Sequence, residues 1–293
     1  MATTQPKLQL NYQSVDSVKA AIAKVRSGKA AFAVIPIIKE LPNDLTSQEI
    51  AHDALAVFVN FSYSERDQGL PTALQGELTL KQLQDIYSGE TKDWQQFGSK
   101  LPIRRYAPLD GESINLFEQK VLGNPRAIAT FREFLHDTHS QPNDTFIADT
   151  FIKEQAPNIQ QLPTLEMLRT SIQDFESYKT GGIGFAPLSQ VFGQCSVYPL
   201  ALAKEPEKSV QALTLANGKA IDPTLDLCDR KGSYAILPEL IRSHRYPLSY
   251  AIAIVYTRDN SRFPVGEKFA EMLKSTEGQT LLSQFGLMPL SDQ

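Results

Sequence analysis

Ala54-Leu-Ala-Val-Phe-Val-Asn60 is apolar up to its last residue, and Ala31-Phe-Ala-Val-Ile-Pro-Ile37 is apolar throughout. Strand-length runs without polar alternation belong to strands covered on both faces, as in a parallel sheet layered by helices. Helical signals surround them. Ser14 can cap a helix whose apolar positions Val15, Val18, Ile22 and Val25 share one face and which stops at Gly28. A strand at Leu8–Tyr12 precedes that helix. Thr79 and Gln82 form a capping box, and Leu80, Leu83 and Ile86 line the core face of a helix ending at Gly89. Short strands and helices alternate in this way, so the class is α/β.

The alternation continues downstream. Asn124-Pro125 is a cap with proline in the first turn, and Thr164 precedes an amphipathic stretch to Ile172. Gly181-Gly-Ile-Gly-Phe-Ala-Pro-Leu188 reads as a turn feeding a short buried strand. A long strand spans Pro247 to Arg258, and helices at Val265–Lys274 and Thr276–Phe285 close the chain. At 293 residues the chain suits two compact units.

Composition excludes several classes of function. The net charge of −4 removes the basic face that nucleic-acid binders use. No run approaches the roughly 20 apolar residues that cross a bilayer. The N-terminus, Met1-Ala-Thr-Thr-Gln-Pro-Lys7, lacks a basic segment followed by an apolar one, so no signal peptide is expected in this chain. Cys195 and Cys228, the two cysteines, permit either one disulfide or two reduced thiols.

A series of segments points to a known family. These are Ala54–Asn60, then Leu78-Thr-Leu-Lys-Gln-Leu-Gln-Asp-Ile-Tyr-Ser-Gly89 with Trp94, Leu101-Pro-Ile103, and Asp110-Gly111 with Phe117. Gly182-Ile-Gly-Phe185, Tyr246-Pro-Leu248, Ser275-Thr-Glu-Gly-Gln279 and Phe285-Gly-Leu-Met-Pro-Leu290 follow in order. In this order the chain resembles the phosphate-type periplasmic solute-binding proteins of ABC transporters. The resemblance implies a two-lobed, Venus-flytrap α/β molecule with two hinge-crossing strands, Ala54–Asn60 and Pro247–Tyr256. Lobe one would be residues 1–57 plus 250–293, and lobe two residues 58–249. It further implies a small-molecule or anion ligand in the interlobe cleft, an ABC transporter membrane component as partner, and an extracytoplasmic location.

The anion-binding positions depart from the family pattern. A buried dianion needs helix N-terminal amides, hydroxyls and an arginine fork. The family's arginine followed by Asp-Gly-Ser-Gly-Thr corresponds here to Pro108, then Asp110, Gly111, Glu112, Ser113 and Ile114, so a carboxylate replaces a hydroxyl. In lobe one the Gly-Ser-Gly turn becomes Val15-Asp16-Ser17, a strand-opening aspartate becomes Ala31, and a polar strand end becomes Pro36-Ile37. The candidate cleft residues are therefore Ser14, Ser17, Arg105, Asp110, Gly111, Glu112, Ser113 and Asn115. The expected function is solute binding with a ligand other than phosphate, or a sensor or interaction role. The alternative is phosphate transport with displaced ligands, Ser17, Ser113, Asn115 and Arg104 or Arg105, against which stands an outward-facing, solvated arginine pair.

The family also begins with a strand and helix ahead of the segment matched by Leu8–Tyr12, and seven residues precede Leu8 here. A vacant sheet position leaves backbone groups unpaired. The chain is trimmed, another segment or chain fills the slot, or the strands close up; trimming or complementation by an upstream segment is the expectation.

Other constellations are weaker. His136-Asp-Thr-His139 places two imidazoles at a helix end with no third metal ligand nearby in sequence, so no metal is expected. Cys195 has no histidine neighbour, and the segment around Ser113 lacks the closing glycine of a nucleophile elbow. Gly181-Gly-Ile-Gly184 has the wrong spacing for a dinucleotide fingerprint. No enzyme and no cofactor is expected. Trp94 with Tyr87 reads as a packing pair, with ligand stacking by Trp94 as the alternative.

Overall fold

The computed structural model describes residues 10–15, 17–37, 40–61, 69–136, 158–230, 232–258 and 264–291. In chain order the first elements are α1 (Val18–Arg26), β1 (Ala33–Ile37), β2 (Leu45–Asn60), α2 (Leu70–Ala73), β3 (Glu77–Thr79), α3 (Leu80–Tyr87), β4 (Ile103–Pro108), α4 (Gly111–Phe117), α5 (Pro125–His136) and β5 (Ile159–Leu162). Next come α6 (Thr164–Tyr178), β6 (Gly181–Pro187), α7 (Leu188–Val191), β7 (Val197–Pro199), β8 (Ala201–Ala203), β9 (Ser209–Val210), β10 (Leu213–Leu215) and β11 (Tyr234–Ile236). The last are α8 (Pro238–Arg242), β12 (Ser249–Thr257), α9 (Val265–Lys274) and α10 (Thr276–Gln284).

One sheet runs β1-β12-β2-β6-β4-β5, with β7 also on β2. The strand that joins its two parts is β2. Its first stretch, Leu45 to Ala54, pairs antiparallel with β12, and from Leu55 onward it pairs antiparallel with β6. At about 3.3 Å per residue a 16-residue strand reaches about 50 Å, enough to belong to two lobes. A bulge at Ile50, where the register passes from Ile252↔Ala51 to Ala253↔Glu49, bends β2 just before the change of partner.

Each lobe has its own core. In the first lobe, Ala21 and Val25 of α1 meet Ile35, Leu45 and Val255 on one sheet face, while Ala270 of α9 meets Ile50 and Ile254 on the other. The second lobe is built around Tyr87, whose ring lies 4.8 Å from Phe117 and 5.5 Å from Phe185 and whose hydroxyl donates to the Tyr106 carbonyl at 2.9 Å.

Several local readings hold. Thr79 and Gln82 make the reciprocal capping box of α3, and Asn124 Oδ1 accepts the Ala127 N–H at 2.9 Å at the start of α5. Others change. The cap of α1 is Ser17, not Ser14, because Ser17 adopts the extended φ of −164° from which its hydroxyl reaches the Ala20 amide. The predicted crossing strands keep their places with new bounds, Leu45–Asn60 and Ser249–Thr257. The run Ala31–Ile37 is not a buried parallel strand. It forms β1, antiparallel to β12 at the end of the sheet, with Val34 53% exposed. Leu10–Tyr12 form no strand and Leu10 and Tyr12 are exposed, while Leu8 lies outside the described residues.

Candidate functional site

The N-termini of α1 and α4 face each other across the lobes. Ser17 Oγ accepts the Ala20 N–H at 3.2 Å and so caps α1. Asp110 does the same for α4, its Oδ1 accepting the Ser113 N–H at 2.8 Å. Both ends retain free amides and partial positive charge. The group between them is the Glu112 carboxylate, which the Val18 N–H approaches as a donor from α1. Glu112 Oε2 is sealed from solvent and has no donor of its own.

Burial raises the pKa of Glu112, Asp110 raises it further, and the Val18 amide partly offsets both. Ser113 is buried on α4, with Gly111 and Asn115 half-buried beside it, whereas Asp110 is exposed at its start. Ser14 is exposed ahead of α1. The structure therefore brings Ser17 and Glu112 to one interlobe position, flanked by Asp110 and Ser113.

A second carboxylate completes the region. Asp53 lies at the end of the β2–β12 pairing, opposite Tyr250, and is 2% exposed. Its Oδ1 accepts the N–H groups of Ala54 at 2.8 Å and Ser189 at 3.2 Å, and its Oδ2 accepts the hydroxyls of Ser189 at 2.7 Å and Tyr250 at 3.3 Å. These bonds tie β2, β12 and α7 together. Burial raises Asp53 to about 6, against the pull of its donors. Burial also pushes Tyr250 well above the ordinary range, as do Asp53, Asp110 and Glu112. Asp53, Tyr250 and Ser189 were absent from the sequence-based candidates. A carboxylate beside His52 in the otherwise apolar stretch from Ile50 to Val59 was the available signal.

The two arginines do not serve the cleft. Arg105 is buried, and its guanidinium donates to the carbonyls of Ile86 at 2.6 Å and Thr91 at 2.7 Å, satisfying the C-terminal end of α3. Burial lowers its pKa to about 10. Arg104 pairs with Asp174 at 3.0 Å and donates to Gln160 at 2.7 Å. Both the ligand role and the solvated-pair reading are thereby corrected, since each guanidinium is held inside the second lobe.

Trp94 is fully buried with its Nε1–H on the Gly181 carbonyl at 2.9 Å, which excludes ligand stacking. Cys195 and Cys228 are joined in a disulfide. The His139 residue and the His136 side chain lie outside the described residues.

Two α/β lobes on a shared crossing strand, with helix N-termini meeting between them, describe a periplasmic-binding-protein architecture. Residues 2–277 match the family model of the PBP superfamily domain. The chain belongs to the PBP superfamily. Among solved structures, this PBP chain is similar to an ABC-type phosphate transport receptor from Vibrio cholerae, at 19% identity, TM-score 0.59, covering 93% of this chain and 85% of that one. It is also similar to PstS from Borrelia burgdorferi, at 14% identity, TM-score 0.53, covering 94% of this chain and 85% of that one. No curated protein matches the sequence.

Proposed function

We propose that this PBP-superfamily chain is a solute-binding or sensor module whose cleft does not take phosphate. The observation that carries this reading is the Glu112 carboxylate between the two helix N-termini, at the Val18 amide. Once Glu112 is ionised, above its raised pKa, an anion placed there would meet a like charge, a repulsion of about 4 kcal/mol at about 4 Å and an effective dielectric of about 20. Asp53 and Asp110 add to that negative field, and both candidate arginines are committed elsewhere. A neutral or cationic solute, or no solute, suits the arrangement.

We assign the lobes as residues 1–57 plus 250–293 and residues 58–249; the separate cores support two lobes, with Ala54–Val57, Tyr250 and Met288 packing into the second-lobe core at the crossover. The Cys195–Cys228 bridge supports an extracytoplasmic setting, where disulfides persist. An ABC transporter membrane component is the partner this family reading carries. The second edge of β1, which pairs with no strand among the described residues, suits an upstream segment completing lobe one.

Isothermal titration with inorganic phosphate tests the reading. No saturable binding at millimolar phosphate is expected; tight, saturable binding would overturn it.

A further inference from the structure

Between the lobes the structure gathers Asp53 from β2, Tyr250 from β12, and Asp110 and Glu112 from the start of α4. Among the described residues no lysine, arginine or histidine forms an ion pair with any of these three carboxylates. Glu112 faces Asp110 on its own helix, the Tyr250 hydroxyl from β12 and the Val18 N–H from α1. Asp53 faces only neutral donors, the Ala54 and Ser189 amides and the Ser189 and Tyr250 hydroxyls. This arrangement thus packs carboxyl groups from β2 and α4 against dipoles, with no ion pair to any of them among the described residues.

We propose that the lobes close by charge neutralisation, with proton uptake on Glu112 holding α4 against the N-terminus of α1 and proton loss loosening the contact. The geometry explains the direction. Closing removes water from the sealed Glu112 Oε2 and offers it no donor, so a neutral carboxyl fits there at lower cost than a carboxylate. Asp53 and Glu112 both have raised pKa values, Asp53 to about 6, mainly through burial. The packed cleft therefore binds protons more tightly than a solvated one. By linkage, closure strengthens as pH falls and weakens as pH rises through the raised pKa of Glu112. This inference rests on the same cleft carboxylates as the proposed function and not on which solute the cleft takes.

The test compares the wild-type chain, Glu112→Gln and the Asp53→Asn/Glu112→Gln double variant at pH 5 and pH 8. Small-angle scattering reads the lobes, and hydrogen exchange of the α1 amides, corrected for intrinsic rates, reads the contact. Wild type should be more compact at pH 5, with the α1 amides more protected than at pH 8, the direction that follows from the raised pKa of Glu112. The double variant should be compact and protected at both values. Equal compactness and protection of wild type at both values, or a double variant that titrates like wild type, would overturn the proposal. Should the double variant not fold, Glu112→Gln alone decides: a reduced pH difference supports the proposal and an unchanged one contradicts it. Phosphate titration of the same wild-type samples separates the two readings. Saturable phosphate binding defeats the non-phosphate reading and leaves the pH transition standing, whereas pH-independent lobes without phosphate binding defeat this proposal alone.

Discussion

The Tyr250 hydroxyl donates to Asp53 Oδ2 at 3.3 Å from the strand directly opposite, one residue before β2 leaves β12 for β6. The buried carboxylate, shared with Ser189 of α7, is a pin at the hinge. Its ionisation is costly there, because the folded pKa of about 6 exceeds the unfolded value of 3.8. A group shifted upward stabilises the fold fully below its unfolded pKa and loses that contribution as pH rises through the folded one. Thermal melting of wild type should therefore show an Asp53 contribution that declines between about pH 4 and pH 6, worth about 3 kcal/mol in total. Asp53→Asn should flatten that part of the profile, and a variant with the wild-type slope would contradict the assignment.

Arg105 is a structural cation. Arg105→Met should destabilise the second lobe by about 1–3 kcal/mol by leaving the Ile86 and Thr91 carbonyls unsatisfied, read as a lower urea midpoint. Destabilisation below about 0.5 kcal/mol would show that water replaces the guanidinium.

The Cys195–Cys228 bridge closes a loop with a sequence separation of 33. Its chain-entropy contribution is about 4 kcal/mol. The Cys195→Ser/Cys228→Ser double variant should lose several degrees of melting temperature, and an unchanged midpoint in denaturant would remove the bridge from the stability of this region.

Gly184 lies under the Phe58 ring, and a Cβ there would sit 2.6 Å from the ring's far carbon. Gly184→Ala should cost about 1–3 kcal/mol through overpacking between β6 and β2. Recovery of that loss in a Gly184→Ala/Phe58→Leu double variant is the check, and additivity of the two changes would argue against a direct clash.

Local chemistry made much of the fold legible. The capping box at Thr79 and Gln82 and the Asn124 cap depend on neighbours in sequence and form as expected, while the expected turn at Gly181 is already strand, its glycines making room for Trp94, Tyr106 and Phe58. The segments that carried the family resemblance spread through both lobes for the same reason. Readings that depended on distant chain were less visible. The run Ala31–Ile37 could not announce that β12, from the far end of the chain, would be its antiparallel partner. Arg105 could not show that its acceptors would be main-chain carbonyls of α3 and the loop after it, which carry no side-chain signature. Glu112 was legible as a carboxylate in an anion's place, but its meeting with the Val18 amide exists only once the two lobes are assembled. Asp53 stayed hidden because the tetrad of donors that justifies its burial comes from Ala54, Ser189 and Tyr250, spread across three elements.

The most direct test of the acidic cleft is a crystal structure grown in concentrated phosphate. The Glu112 carboxylate is expected to occupy the space before the Val18 amide, with no anion between α1 and α4. A tetrahedral anion seated on those amides, with Glu112 turned away, would contradict the account.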